Sequence, residues 1–165
     1  MICGGFAAPP ERHTYAFVVG GMCWQVEAAA AVGLPTEPLV QKALEGAAKG
    51  TAGAGIVRAV RRLNDGMLEA RGILGRDAPE AELVAGAVAL LAGAPAAALD
   101  TLAQARPEGD VVVPLVVLAD LVRRGVAAPE AAGLVTRLAS AGVSDDGFIR
   151  LRLLVQGDIE HCGGA

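Results

Sequence analysis

Apolar residues recur at helical spacing along the chain, and the most regular run lies between residues 56 and 74. Charged residues such as Arg58 and Glu69 fall between the apolar positions of this run. This spacing predicts an amphipathic helix that buries one face and exposes the other. Shorter stripes of the same kind follow within residues 83–91, 115–122 and 134–141. The six apolar residues of the first stripe step alternately by four and three positions: Ile56, Val60, Leu63, Met67, Ala70 and Leu74.

Glycines divide the chain at nearly regular intervals. A glycine just past the last helical turn adopts the left-handed backbone conformation at no steric cost, so it favours a helix end. Each interval fits one helix of about three turns and a short connection, and two intervals give a hairpin of about 34 residues, the length scale of helical-repeat arrays. Seven glycines, each followed six residues later by an apolar residue, are mostly 16 to 18 positions apart: Gly33, Gly50, Gly75, Gly93, Gly109, Gly125 and Gly142.

Together these signals predict an all-α fold, an array of about seven short antiparallel helices that form repeat-like hairpins. Asp77 and Ser144 suit helix N-cap positions, and Pro114 and Pro129 suit first helical turns. The abundance of alanine and leucine and the aromatic content of only 3% disfavour a sheet protein. The predicted helices cover residues 36–49, 55–74, 78–92, 96–105, 114–124, 129–141 and 145–156.

The first residues differ in composition from the rest of the chain. Four of the five aromatic residues lie within residues 1–24, and Phe148 is the exception. An uncharged run, Thr14–Val26, has the apolar character of a secretory signal, but Glu27 interrupts the approach to a cleavage site. We interpret residues 1–24 as a leader outside the core, either a degenerate export signal or a disordered, loosely packed segment.

The remaining length and composition fit one globular domain. The chain has 165 residues, which is enough for a substantial core. Its many leucines and valines and its charged content of only 19% argue against an unfolded polymer. We predict a single helical domain over residues 33–159 and a C-terminal tail over residues 160–165.

Charge is unevenly distributed, although the net charge is only −4. Residues 42–76 carry seven lysines and arginines against three acids, whereas the rest of the chain is acidic. The same hairpin pattern recurs in the acidic half, so the basic hairpin is best interpreted as an architectural unit with solvated faces, and nucleic acid is the less favoured partner. The candidate contacts for an anion or a nucleic acid are Lys49, Arg58, Arg61 and Arg62.

No residue pattern in the sequence points to catalysis, a cofactor or a metal, and we predict no such site residues. The segment Gly46–Thr51 has its lysine before the glycine that should precede it in a phosphate loop, so a helix end explains it better. The uncharged run Leu83–Leu99 would extend about 25 Å as a helix, short of a membrane core of about 30 Å, so we expect no membrane span. The cysteines and histidines lie near the chain ends without paired metal-ligand spacing: Cys3, Cys23, Cys162, His13 and His161.

Two segments carry a resemblance to known proteins. The run Gly33–Gly50, GLPTEPLVQKALEGAAKG, and the run Val113–Gly125, VPLVVLADLVRRG, are similar to a group of uncharacterised alanine-rich bacterial proteins that usually carry a signal peptide. The resemblance covers about residues 33–159. It implies an all-helical domain and a periplasmic or secreted location, and it brings no activity and no functional residue. Because residues 1–32 hold no clean signal, a cytoplasmic location is the alternative.

The repeat, together with the lack of a convergent polar site, predicts a non-catalytic helical scaffold that binds a protein or peptide partner. Stacked helical hairpins present extended surfaces that suit such binding. The alternative is a nucleic-acid or anion binder that uses the basic helix over residues 55–74. Catalysis by scattered acidic residues stays open, although the sequence leans against an enzyme.

Overall fold

The computed structural model describes residues 23–107 and 109–162, with side chains as far as residue 156. These residues form eight α-helices and no strand, which confirms the predicted all-α fold. The first helix, α1, covers residues 23–31. The others are α2 (Glu37–Ala48), α3 (Gly53–Leu74), α4 (Glu80–Ala92), α5 (Ala96–Ala105), α6 (Val112–Arg123), α7 (Ala128–Ser140) and α8 (Asp145–Cys162).

The predicted helix boundaries agree with the structure to within two residues, except at the end of the last helix. α8 continues to Cys162 instead of ending near residue 156, because a helix tolerates a single interior glycine, here Gly157, at a cost of about 1 kcal/mol. The predicted tail, residues 160–165, therefore starts inside α8, and residues 163–165 lie outside the described part of the chain. α1 has no counterpart among the predicted helices.

The predicted helix ends are confirmed at six of the seven glycines, which have φ between +67° and +107°. At Gly125 the Schellman pattern is complete: its N–H donates to the Val122 carbonyl (3.0 Å), and the Val126 N–H donates to the Leu121 carbonyl (3.1 Å). The prediction is wrong at Gly109, where φ is not positive. α5 already ends at Ala105, and the Arg106 side chain organises the connection that follows.

The predicted N-cap at Asp77 is also wrong. α4 begins at Glu80, and Pro79 occupies the N-cap position without a side-chain hydrogen bond. Glu80 and Glu82 in the first turn interact favourably with the positive end of the helix dipole. α6 uses a different arrangement, in which the Val112 N–H donates to Asp110 Oδ1 (2.5 Å). Acidic side chains thus stabilise the starts of α4 and α6, but the predicted N-cap residue Asp77 is not one of them.

Residue contacts divide the chain into two compact units, Met1–Asp65 and Gly66–Ala165, and α3 contributes residues to both. The single domain over residues 33–159 stays a prediction. In the first unit, a Cβ atom added to Gly46 of α2 would lie 2.9 Å from Ile56 Cγ1 of α3, so these two helices approach closely at a glycine. The buried apolar residues of this unit are Ala29, Leu34, Leu39, Ala43, Ile56, Val60 and Leu63.

The second unit is built from stacked hairpins. α4 packs against α6, and α6 packs against α8, while α5 packs against α7. Packing between alternate helices is typical of helical-repeat arrays. The three even-numbered helices start at Glu80, Val112 and Asp145, intervals of 32 and 33 residues that are close to the predicted hairpin length. The Val111 N–H donates to Glu82 Oε1 at 3.4 Å, which places the starts of α4 and α6 side by side.

The core of the second unit combines one large aromatic residue with many small ones. Phe148 of α8 is completely buried and belongs to the same core cluster as Leu99 and Leu102 of α5 and Leu115 of α6. A Cβ atom on Gly86 would lie 3.0 Å from Ala70 Cβ, so α4 packs directly on the end of α3 that belongs to this unit. Close helix approach of this kind offsets the shortage of large apolar side chains.

Candidate functional site

The C-terminal helix α8 exposes three large apolar side chains. Ile149, Leu153 and Leu154 are 46%, 60% and 69% exposed, and we call them the α8 surface. Ile149 and Leu153 are four residues apart, which places them one above the other on the helix. The other side of α8 is occupied, because Phe148 is buried and Leu151 packs on the core.

The middle of α8 is fixed by an ion-pair network on α6. Asp120 Oδ2 accepts hydrogen bonds from Arg124 Nε of the same helix and from Arg152 Nε of α8, both at 2.9 Å. Partial burial raises the pKa of Asp120, but the hydrogen bonds and charges of the two arginines outweigh this effect, and the net pKa lies below its usual value. The carboxylate therefore stays ionised and holds Arg152 one residue from Leu153.

The start of α8 is fixed by Arg106, which lies in the connection after α5. Its Nη1 donates to Asp145 Oδ1 (2.6 Å) and to the Asp110 carbonyl (2.9 Å), and its Nη2 donates to the Val143 carbonyl (2.7 Å). The guanidinium also lies over the Phe148 ring, 5.3 Å from its centre. Two anchors, at the first and third turns, thus hold the α8 surface in one orientation before any partner binds, which lowers the ordering cost of binding.

An Asp120→Asn substitution should reduce the acid sensitivity of the fold. A carboxylate whose pKa is lowered by folding stabilises the native state above its unfolded pKa, near 3.8, and loses that contribution as pH falls through the folded pKa. We expect the variant to be about 1–2 kcal/mol less stable at neutral pH. Its difference from the wild type should shrink below about pH 4. Urea unfolding followed by circular dichroism at several pH values measures the stability of the variant and of the wild type. A stability difference that stays constant down to pH ~2 would contradict this role for Asp120.

The four predicted anion or nucleic-acid contacts separate into two groups. Lys49, directly after α2, forms an ion pair with Glu45, which also pairs with Lys42 at 2.9 Å. Hydrogen bonds from Lys42 and Lys49 lower the pKa of Glu45 to about 2. Lys49 is therefore already engaged in an ion pair, with a carboxylate that it shares with Lys42.

Arg58, Arg61 and Arg62 lie together on the exposed side of α3, off the apolar stripe, as the sequence predicts. Within the described residues none of the three forms an ion pair. Asp65 and Glu69 continue the same exposed side towards the end of the helix. The surface therefore changes sign along α3, which a nucleic-acid backbone of uniform negative charge does not match.

No group of three or more histidine, cysteine, aspartate or glutamate side chains that could hold a metal ion occurs in the described part of the chain. Cys3 and His13 lie outside the described residues, as do the side chains of His161 and Cys162. Cys23 is half-buried on α1. Among the side chains that are described, the buried Asn64 Oδ1 lacks a hydrogen-bond partner. No described helix is both long enough and apolar enough to cross a bilayer.

The α8 surface and its anchors were not predicted from the sequence. One part of the anchors is visible in the sequence: Asp120 and Arg124 lie four residues apart on one helix, a spacing at which opposite charges form an ion pair. Arg106 and Arg152 contact residues 32 to 39 positions away, which no local pattern indicates.

Comparison of the chain with protein-family models, with curated proteins and with solved structures finds no match. The resemblance to alanine-rich bacterial proteins therefore stays a prediction.

Proposed function

We propose that this protein is a non-catalytic helical scaffold that binds a protein or peptide partner through the α8 surface. The observation that supports the proposal is the exposure of Ile149, Leu153 and Leu154 on a helix whose other side is firmly packed. Exposed large apolar side chains characterise protein-binding sites, and aliphatic anchors on a preorganised helix lose little entropy when they bind.

The chemistry of the surface indicates the kind of partner. Arg150 is exposed beside Ile149 and forms no ion pair within the described residues. A matching partner is an amphipathic helix that covers the leucines with its apolar face and places an acidic side chain near Arg150. The resemblance noted above favours a periplasmic or secreted location for this interaction, with the cytoplasm as the alternative.

The alternative function, binding of an anion or nucleic acid by α3, receives less support. Arg58, Arg61 and Arg62 are available, but Lys49 is paired with Glu45. Asp65 and Glu69 lie on the same side of α3 and would repel phosphates.

Selection from a random library of helical peptides tests the proposal. We expect the selected peptides to share apolar residues at helical spacing and at least one acid. Leu153→Glu should weaken their binding at least about tenfold, because a buried apolar contact would be replaced by a desolvated charge. Fluorescence anisotropy with one selected, labelled peptide measures the change.

Leu44→Glu is the matched control, since Leu44 of α2 is 58% exposed, close to the 60% of Leu153. The control should bind the peptide as the wild type does. Equal binding by the wild type and Leu153→Glu, or a library that yields no binding peptide, would remove the α8 surface as the binding site.

A further inference from the structure

The ion-pair network of Asp120 brings two guanidinium groups to one carboxylate oxygen. Arg124 and Arg152, which we call the arginine pair, each donate from Nε to Asp120 Oδ2 at 2.9 Å. Within the described residues, the Nη1 and Nη2 groups of the two arginines form no hydrogen bond. A guanidinium carries five N–H donors in a planar fork, so each arginine uses one and leaves four for another acceptor.

The network also carries an excess of positive charge. One carboxylate balances one guanidinium, so the second arginine that contacts Asp120 adds a charge that the network does not neutralise. The Arg124 side chain is only 25% exposed, which weakens the screening of this charge by solvent. No unpartnered nitrogen of Arg124 is fully buried, so its Nη groups can be reached from the surface.

The two helices that carry the arginine pair run side by side in the same direction. Both start at one guanidinium, because Arg106 donates to the Asp110 carbonyl just before α6 and to Asp145 at the start of α8. The hydrogen bond between Arg152 and Asp120 joins the same two helices about two turns further on. Residues one turn before this bond on each helix therefore lie near each other.

The residues at these positions are apolar and exposed. Val116 of α6 lies four residues before Asp120 and is 37% exposed. Ile149, a member of the α8 surface, lies three residues before Arg152. Residues three or four positions apart are neighbours on a helix surface. Val116 thus extends the α8 surface onto α6, and the arginine pair lies at its edge.

Basic residues dominate this part of both helices. Residues 112–124 and 147–156 contain four arginines and a single acid, Asp120. Such a surface attracts an acidic partner and repels a basic one. A nucleic acid would match the charge but would leave Val116 and Ile149 without an apolar contact, whereas an acidic protein segment supplies both.

We propose that the arginine pair is a carboxylate site at the junction of α6 and α8, which binds an aspartate or glutamate side chain of the protein partner. The Nη1 and Nη2 groups of one guanidinium match the two oxygens of a carboxylate in a bidentate hydrogen bond. The partner carries this acid about one helical turn from the apolar residue that covers Val116 and Ile149. This assignment rests on the function proposed above, and it adds a second acid to the one expected near Arg150.

A double-mutant cycle with the selected, labelled peptide tests the assignment. Each acidic residue of the peptide is changed in turn to its amide, and fluorescence anisotropy measures the binding of every peptide to the wild type and to Arg124→Gln. We expect one acid whose replacement weakens binding to the wild type about fivefold and binding to Arg124→Gln less than about twofold. Arg152→Gln should reduce the effect of the same acid, and it provides a second, independent variant.

Two exposed arginines provide the matched controls. Arg123→Gln, at the neighbouring residue of α6, and Arg150→Gln, on α8, remove the same charge, but neither arginine forms an ion pair within the described residues. In both controls, replacement of this acid should weaken binding as much as in the wild type. Melting temperatures within a few degrees of the wild type establish that each variant is folded.

Two results would overturn the carboxylate site: an acid that couples to Arg150 but to neither Arg124 nor Arg152, or equal effects of every acid on the wild type and on both variants of the arginine pair. In either case, a loss of peptide binding in Leu153→Glu would leave the proposed function intact. A library that yields no binding peptide would remove both the proposed function and the carboxylate site.

Discussion

Phe148→Ala lowers the free energy of unfolding by about 3–5 kcal/mol, the range for a fully buried aromatic residue replaced by alanine. Phe148 is completely buried in the core that α5, α6 and α8 share. Many members of the buried cluster that contains Phe148 are alanines, whose short side chains cannot move into the space that the ring leaves. The Arg106 guanidinium, 5.3 Å from the ring centre, also loses the aromatic face on which it lies.

Urea unfolding followed by circular dichroism measures this loss. Leu154→Ala is the control on the same helix, because Leu154 is 69% exposed and its truncation leaves no cavity. We expect the control to stay within about 0.5 kcal/mol of the wild type. A loss below about 1.5 kcal/mol for Phe148→Ala would show that α8 packs less tightly on the core than the structure indicates.

Arg106→Lys is the second large effect, with an expected loss of about 2–3 kcal/mol despite the retained charge. The planar guanidinium donates in three directions, to Asp145, to the Val143 carbonyl and to the Asp110 carbonyl. A lysine ammonium cannot span these acceptors at once, and the arginine side chain is only 15% exposed, so water replaces it poorly.

Arg150→Lys, at an exposed arginine of α8 that forms no ion pair within the described residues, serves as the comparison and should be neutral. Chemical denaturation measures the free energy of unfolding of Arg106→Lys and of Arg150→Lys relative to the wild type. Equal stability of Arg106→Lys and the wild type would mean that the electrostatic attraction to Asp145, rather than the fork geometry, holds the start of α8.

The helices could be predicted from the sequence because their signals are local. The apolar stripe on α3 follows from spacing within one helix, and its residues from Ile56 to Ala70 are buried as predicted. Gly125 and the other confirmed glycines mark helix ends for the same reason, since only a few neighbouring residues decide the backbone conformation there.

The candidate binding surface could not be predicted, because it depends on which side chains of α8 pack against other helices. Leu151, Leu153 and Leu154 are equivalent in composition, yet only Leu151 packs on the core. Leu151 lies on the same side of α8 as the buried Phe148, and the contacts of Asp120 and Arg106 that hold the helix there cross more than thirty residues of sequence. Gly109 marks no helix end because α5 already ends at Ala105, just before Arg106 and Pro107, and a proline disfavours helical backbone at the residue before it.

The glycines at the helix ends carry a consequence for chirality. Around Gly125 and Gly142 an added Cβ atom would meet nothing within 4 Å, so crowding does not exclude a side chain there. The exclusion comes from handedness alone: φ is +94° and +74°, values that disfavour an L-residue and suit its mirror image. A D-alanine introduced by chemical synthesis prefers these backbone angles and would lose less backbone entropy on folding than glycine does. At these two turns glycine takes the place of a D-residue, because among the encoded amino acids it adopts positive φ without a steric cost.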